Sequence, residues 1–288
     1  MAERLGQIEE RIDSVSQLSS VVVAIRGIAA ARLREGQQRL DGIRAYADNV
    51  GEAIGQALAL AAENDGGGLE EAPSGGKLVI ALCSEQGFAG AFNSRVLDVA
   101  ERLVRETKAE LFVIGDHGQM VAGERGLKVS WGVPMAAHVE ETVDLANRLA
   151  ESLYERVREG VTGATIVHAS PDSGETQPIV EQALIPFDFA RFPAADLTNP
   201  PLLTLPPREL LARLAEEYVF AELCEAAILS YAAENQARMR AMIAAHDNVA
   251  KRLDELRASA RRIRQEEITS EVVELAAGVE ASRQQRGG

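Results

Sequence analysis

The stretch that decides the fold is Met239–Ile263, "MRAMIAAHDNVAKRLDELRASARRI". Steps of three and four residues alternate along a single stripe, which is the heptad seam of a coiled coil. The seam residues are Met239, Met242, His246, Val249, Leu253, Leu256, Ala260 and Ile263. Around them, residues 208–281 contain no proline, and no glycine before Gly278. We therefore predict one C-terminal helix over residues 208–281, far longer than most helices of globular domains.

The predicted partner of this helix is the N-terminal segment of the same chain. Residues 3–62 contain no proline, and their apolar residues recur at the spacing of a helix with one apolar stripe. The stripe consists of Leu5, Ile8, Ile12, Val15, Leu18, Val22, Ile25, Ala29 and Leu33. Five glycines each weaken an exposed helix by about 1 kcal/mol relative to alanine; they are Gly27, Gly36, Gly42, Gly51 and Gly55. We predict that residues 1–62 and 208–281 form an antiparallel coiled coil whose packing compensates for the glycines.

Residues 77–195 follow a different pattern. Four short runs rich in valine and isoleucine, "KLVIALC", "AELFVIGD", "LKVSWGV" and "GATIVHAS", are interspersed with helical stretches at residues 94–107 and 141–158. This arrangement predicts a largely parallel sheet with covering helices, and residues 175–187 add a candidate edge strand. The predicted fold class is α/β, with a Rossmann-like α/β domain inserted into the long antiparallel coiled coil. A glycine-rich linker at residues 64–76 precedes the domain, and residues 282–288 form a tail.

Composition limits the possible functions. A net charge of −14 over 288 residues does not suit nucleic-acid binding. No apolar stretch approaches the roughly 20 residues that cross a bilayer, so direct membrane insertion is not expected. The two cysteines lie far apart, which argues against a disulfide framework and fits a reducing compartment. The four histidines show no metal-ligand spacing, so no metal site is expected.

The loop Ser84–Asn93, "SEQGFAGAFN", follows a predicted strand and precedes a predicted helix, where phosphate-binding loops lie. It matches neither GxGxxG nor GxxxxGK[ST] and lacks the lysine, so we predict a tight turn. Gly115–Gly118, "GDHG", is also predicted to be a turn. We expect no catalytic site and no cofactor. A nucleotide-binding enzyme stays an open alternative, although no base and nucleophile accompany the loop.

Two basic zones lie within the acidic chain. Residues 26–44 hold five arginines against two acids, and residues 238–264 hold eight lysines and arginines against three acids. Each zone is interpreted either as a solvated helix face or as a contact with an acidic partner.

The C-terminal stretch Ile263–Ala281, "IRQEEITSEVVELAAGVEA", resembles the C-terminal motif of one family, the gamma subunit of the rotary F-type ATP synthase. The matching residues are Arg264, Gln265, Ile268, Thr269, Glu271, Glu274 and Gly278. Ile8–Arg34, Ser84–Asn93 and Glu234–Met242 are similar to the family's opening helix, central turn and pre-terminal stretch. The resemblance therefore covers both ends and the middle of the chain, in the family's order.

The resemblance implies a central rotor shaft that catalyses no formation of covalent bonds itself. The shaft changes the nucleotide affinity of three sites by presenting a different face to each. Its implied partners are three alpha and three beta ATPase subunits, the epsilon subunit and the membrane ring, at the cytoplasmic face of a bacterial plasma membrane. The implied beta-subunit contacts are charge-assisted hydrogen bonds from Arg264, Gln265, Thr269, Arg238, Arg26, Arg32 and Arg34. The family's Met-x-Met is replaced by Ile25-Arg26-Gly27, which suggests a divergent lineage.

An alternative from another class is a non-rotary coiled-coil adaptor with an α/β head. It predicts homodimerisation through an exposed apolar stripe, whereas a shaft is expected to be monomeric when isolated.

Overall fold

The computed structural model describes residues 2–64, 75–172, 174, 177–195 and 204–286. Two long helices, α1 (Ala2–Asn64) and α5 (Pro207–Arg286), flank the remaining elements in sequence. Between them the order is β1 (Gly76–Leu82), α2 (Phe92–Thr107), β2 (Glu110–Ile114), α3 (Asp116–Glu124), α4 (Thr142–Arg158), β3 (Val161–Ala169) and β4 (Ile179–Ile185). Most of the predicted linker lies outside the described residues, and α5 extends five residues into the predicted tail.

The chain divides into two compact units. The two-helix unit comprises residues 1–28 and 240–288, and the α/β unit comprises residues 29–239. Helices α1 and α5 each contribute one part to each unit, because Ile28 and Arg240 lie within them.

The α/β unit is built on a four-stranded sheet in the order β2-β1-β3-β4. Strand β1 pairs in parallel with β2 and β3, and β4 pairs with β3 in antiparallel orientation at the edge. Strand β1 is buried continuously from Leu78 to Leu82, as expected for a parallel strand with both faces covered. The predicted parallel sheet and its edge strand are thus confirmed.

Two predicted local structures were wrong. Residues 127–133 form no strand: they run beside β2, with backbone hydrogen bonds at Val113 and Gly115 and one isolated bridge between Phe112 and Trp131. The stretch Gly115–Gly118 is not an isolated turn, because helix α3 begins at Asp116. Both errors arise from contacts with β1 and β2 that local periodicity does not encode.

Helices cover both faces of the sheet, and one of the covering helices is α5. One face packs on α2 and α3, around Val79, Val96 and Ala122. The other face packs on α4 and on α5, where Leu149 and Leu223 lie in one buried cluster. The middle of α5 is therefore part of the α/β core, as well as a partner for α1.

Helices α1 and α5 run antiparallel within the α/β unit. Arg44 Nε lies 2.8 Å from Glu225 Oε1, and further along α1 the Tyr46 hydroxyl donates to Glu217. Three of the five glycines occur at close contacts: a Cβ would lie 3.1 Å from Ala232 Cβ at Gly36, 3.2 Å from the Phe192 ring at Gly51, and 2.7 Å from the Pro193 carbonyl oxygen at Gly55. These glycines permit close approach of neighbouring elements, whereas Gly27 and Gly42 have no described neighbour within 4 Å.

The two-helix unit buries the predicted seam. Met242, Leu253, Leu256 and Ala260 of α5 are buried, as is Val22 of α1. One position differs from the prediction: the side chain of Leu18 is 51% exposed, and the neighbouring Ser19 is half-buried instead. Alternating steps of three and four residues place the seam at position 19 rather than 18. Ser19 lies four residues after Val15 and three residues before Val22.

Helix α1 contains a window apolar enough to cross a membrane by length and composition alone, within Arg4–Ala61. The prediction that no apolar stretch approaches the length of a membrane span was therefore wrong, as far as length and composition are concerned. The window arises because apolar residues occupy the seam and also an exposed face, at Leu18, Val21 and Ile28.

Candidate partner-contact surfaces

Between Glu271 and Ala277, helix α5 presents side chains to solvent on all sides. Every residue from Glu271 to Ala277 is exposed, and the exposed large apolar residues are Ile268, Val272, Val273 and Leu275. Gln265, Thr269, Glu271 and Glu274 are exposed as well, and Gly278 lies within the helix. The predicted motif therefore forms a mixed polar and apolar surface on one helix.

Arg264 lies at the start of this surface and pairs with the N-terminal helix. Its Nη2 donates to Glu9 Oε1 at 2.6 Å, with the Arg264 side chain 60% exposed. An exposed pair of this kind contributes only about 0–1 kcal/mol. A partner carboxylate could therefore replace Glu9 at small cost.

An open groove follows Arg264 along α5. It is lined by Arg262, Gln265, Glu266, Thr269, Ser270, Val273 and Glu274. All seven residues come from one helix, which cannot enclose a small molecule as a concave ligand site does. The groove is accordingly only a candidate surface for contact with another macromolecule.

The arginines of α1 are accessible to different degrees. Arg26, in the two-helix unit, and Arg32, in the α/β unit, are half-buried. Arg34 is exposed, and its Nε donates to the Ala30 carbonyl oxygen at 3.2 Å. These side chains remain candidate partner contacts.

Arg238 has a different role from the predicted one, because its side chain is only 7% exposed. Its guanidinium pairs with the carboxylate of Glu234, one turn earlier in α5, which is 5% exposed. Its remaining donors reach Gly87 O at 3.2 Å, Gln86 O at 3.1 Å and Asn235 Oδ1 at 3.3 Å. Because its donors are used within the chain, we withdraw Arg238 as a partner contact.

The loop that Arg238 holds is the turn Ser84–Asn93. Its other end is fixed by Asn93, whose Oδ1 accepts from the Ser84 backbone N–H at 2.8 Å and whose Nδ2 lies 2.8 Å from both Ser84 Oγ and His117 Nδ1. Because Nδ2 is a donor, His117 Nδ1 is the acceptor in this contact. The predicted tight turn is thus an extensively bonded one.

Phe88 lies at the tip of this turn. Its side chain is 71% exposed, and its φ of +63° places a non-glycine residue in the left-handed region. Such a conformation persists only where its surroundings impose it. The hydrogen bonds of the buried Arg238 and Asn93 therefore hold the backbone of the turn that carries the exposed Phe88 side chain.

The Glu234–Arg238 pair and Phe88 are functional candidates that the sequence interpretation missed. One available signal was "AAENQARM", Ala232–Met239, which places an acid and a base four residues apart, about one helical turn, in α5. No local signal marked Phe88 as exposed. Among the described residues, no group of three or more His, Cys, Asp or Glu side chains could hold a metal ion.

Comparison with known proteins gives consistent matches along the chain. The ATP synthase family model matches residues 4–281. The chain belongs to the ATP synthase gamma-chain family. Curated relatives named ATP synthase gamma chain include those of Solibacter usitatus, 29% identical over 96% of this chain and 99% of the relative, and Geobacter metallireducens, 28% identical over 96% and 98%.

The similar solved structures are chains of mitochondrial ATP synthases, and they share the fold of this chain. A chain of the Euglena gracilis mitochondrial ATP synthase matches with a TM-score of 0.67 at 14% identity, covering 99% of this chain and 97% of the other. A chain from the central stalk and c-ring structure of the Tetrahymena thermophila mitochondrial ATP synthase matches with a TM-score of 0.55 at 17% identity, covering 78% of this chain and 99% of the other. The predicted combination of a long coiled coil and an inserted α/β domain is confirmed.

Proposed function

We propose that this chain is the central rotor shaft of an ATP synthase, which couples rotation of a membrane ring to ATP synthesis or hydrolysis in an alpha/beta hexamer. The observation that carries the proposal is the family match over residues 4–281, since it includes both long helices and the domain between them. In this proposal residues 1–62 and 208–281 form the shaft, and residues 77–195 bind the epsilon subunit and the ring. The complex lies at the cytoplasmic face of a bacterial plasma membrane, and this chain is a peripheral, non-catalytic component.

The upper contact of the proposed shaft is the exposed surface of α5. Arg264 and Gln265 present donors from one rigid helix, and a guanidinium forms strong, short hydrogen bonds with a carboxylate. The Thr269 hydroxyl donates to the Gln265 carbonyl oxygen at 2.8 Å, so Thr269 presents an acceptor to a partner. Ile268 and Val272 lie next to them and are exposed in the isolated chain. An apolar lining in the surrounding subunits would cover these side chains, while Glu271 and Glu274 keep the helix solvated.

The lower contact is assigned to Arg26, Arg32 and Arg34. Their positive charge would complement an acidic loop of a beta subunit. The proposal differs from the expectation based on resemblance only at Arg238, which is buried in an internal ion pair.

A first experiment is affinity purification of the tagged chain from gently solubilised native membranes. We expect three copies each of two ATPase-like subunits per copy of this chain, together with ring subunits. Recovery of the chain alone, or as a homodimer by light scattering, would support the non-rotary adaptor instead. Exposed apolar residues such as Leu18 and Ile28 would then form the homodimer contact.

A second experiment replaces Arg264 and Gln265 together with alanine. We expect ATP-driven ion pumping or assembly to fall several-fold, because the upper contact loses its donors. Thermal stability of the isolated chain should change little, because Arg264 makes only an exposed ion pair. The matched control is alanine at Gln38 and Arg39, an exposed pair on α1 that the proposal assigns to no contact; like Arg264, Arg39 makes only an exposed ion pair. Equal pumping by both double variants would show that the upper contact is misassigned.

A further inference from the structure

The turn after β1 lies where α/β proteins bind ligands. Strand β1 is flanked by β2 and β3, so the chain crosses from one side of β1 to the other. Ligands of open parallel sheets bind at the carboxyl ends of the strands at such a reversal. The turn 84–91 leads from the carboxyl end of β1 into α2, which is the position of a phosphate-binding loop.

That position is already occupied by α5. Ser230 Oγ lies 3.3 Å from the carbonyl oxygen of Leu82, the last residue of β1. One turn further along α5, Ala233 packs in the cluster that contains Cys83 and Ala169. The helix therefore lies across the carboxyl ends of β1 and β3.

The side chain that α5 places against the turn is an anion. The carboxylate of Glu234 is held by the Arg238 guanidinium and by the backbone N–H groups of Glu85 and Gln86. Successive backbone N–H groups of a turn, together with a basic side chain, are also the donors that hold bound phosphates. Burial raises the pKa of Glu234 above its usual value, whereas Arg238 and the two amides lower it and favour the ionised form.

We infer that the turn Ser84–Asn93 is an anion-binding site whose ligand is the chain's own Glu234 carboxylate. The site holds the turn in the conformation that exposes Phe88, and it is closed to phosphate and nucleotides while Glu234 is present. Removal of this carboxylate leaves the Arg238 guanidinium and the backbone N–H groups of Glu85 and Gln86 able to bind a small free anion. The inference concerns the isolated chain and does not depend on the proposed rotor function.

The test uses Glu234→Ala in the full-length chain, followed by thermal unfolding in increasing formate, with chloride at the same ionic strength as the reference. We expect Tm to fall by about 10 °C, because removing one partner leaves a buried charge unpaired. Formate should then restore much of this loss in a saturable manner, as expected for a ligand of the folded state. Inorganic phosphate is the second probe.

The matched control is Glu255→Ala, since Glu255 pairs with Arg252 on the same helix but is exposed. It should leave Tm almost unchanged and show no saturable response to formate. Wild-type protein should show no specific stabilisation by phosphate or ATP. An equal formate response in both variants, or saturable stabilisation of the wild type by ATP, would overturn the inference.

A second variant covers the case in which Glu234→Ala does not fold. Glu234→Gln keeps the shape and removes the charge, and the local readout is chymotryptic cleavage after Phe88. We expect cleavage at this bond to accelerate at least tenfold relative to Glu255→Gln. Formate should not slow it, because the glutamine side chain still fills the position of the carboxylate. Equal cleavage rates in the two variants would show that Glu234 does not hold the turn.

Discussion

Gly118 and Gly123 lie in the same short helix, α3, and have contrasting surroundings. A Cβ added at Gly118 would lie 2.0 Å from the Cβ of Cys83, whereas nothing described lies within 4 Å of one added at Gly123. Neither glycine has a positive φ. The requirement for glycine at position 118 is therefore steric: it lets α3 approach the end of β1.

This contrast predicts opposite effects for the same substitution. Gly118→Ala should destabilise the protein by about 2 kcal/mol or more, because either the backbone of α3 or Cys83 must move to accommodate the added methyl group. Gly123→Ala should be neutral or stabilising by up to about 1 kcal/mol, because alanine favours the helix and restricts the unfolded chain. Urea unfolding of both variants measures the difference, and equal midpoints would refute the close approach of α3 to β1.

At the scale of elements, α5 changes its environment along its length. In the two-helix unit Leu253 is 9% exposed, and Leu275 of the same helix is 71% exposed. In a helix that was solvated along its whole length, the two leucines would have similar exposed fractions. The seam thus stabilises one part of the helix and leaves residues 271–277 exposed.

The corresponding prediction compares one substitution at two positions of α5. Leu253→Ala should cost about 2–5 kcal/mol through lost burial and the resulting cavity. Leu275→Ala should cost less than about 0.5 kcal/mol, as surface changes usually do. Circular dichroism at 222 nm during urea unfolding gives both values. A similar large loss for Leu275→Ala would mean that this leucine packs within the isolated chain.

At the scale of the whole molecule, all four tyrosines share one property: folding raises the pKa of each phenol. Burial, then the Glu217 carboxylate, raises the pKa of Tyr46 to about 12, and burial raises that of Tyr231 to about 12. Burial also raises the pKa of Tyr154 and Tyr218. These groups come from α1, α4 and α5, so they report on the α/β unit as a whole.

Alkaline titration tests this property. The folded chain keeps protons that the unfolded chain releases near pH 10, so the stabilisation is complete below pH 10 and is lost as the pH rises toward 12. We expect absorbance at 295 nm to show phenolate formation near pH 10 in guanidinium chloride and at clearly higher pH in the native protein. Trp131, the only tryptophan, reports unfolding by fluorescence. Native phenols titrating near pH 10 with unchanged Trp131 emission would contradict the burial of the tyrosines.

The sequence by itself determined the architecture: two long helices with heptad spacing, and a largely parallel sheet with one edge strand. Periodicity is sufficient for this because each amphipathic stripe must be buried, and the spacing of the stripe fixes whether helix or strand can bury it. The long seam from Met239 to Ile263 was predictable for the same reason. The contact residues Arg264, Gln265 and Thr269 came from resemblance to a family, and their contacts remain a prediction.

Only the tertiary structure decided how particular side chains are used. It buried Arg238 beneath the turn, exposed Leu18 beside the seam, and started α3 at Asp116. It also brought Glu234 to the backbone of Glu85, although about 150 residues separate them. The physical reason is that burial and ion pairing depend on which elements meet across the sheet, and these meetings are not encoded in the local spacing of residues.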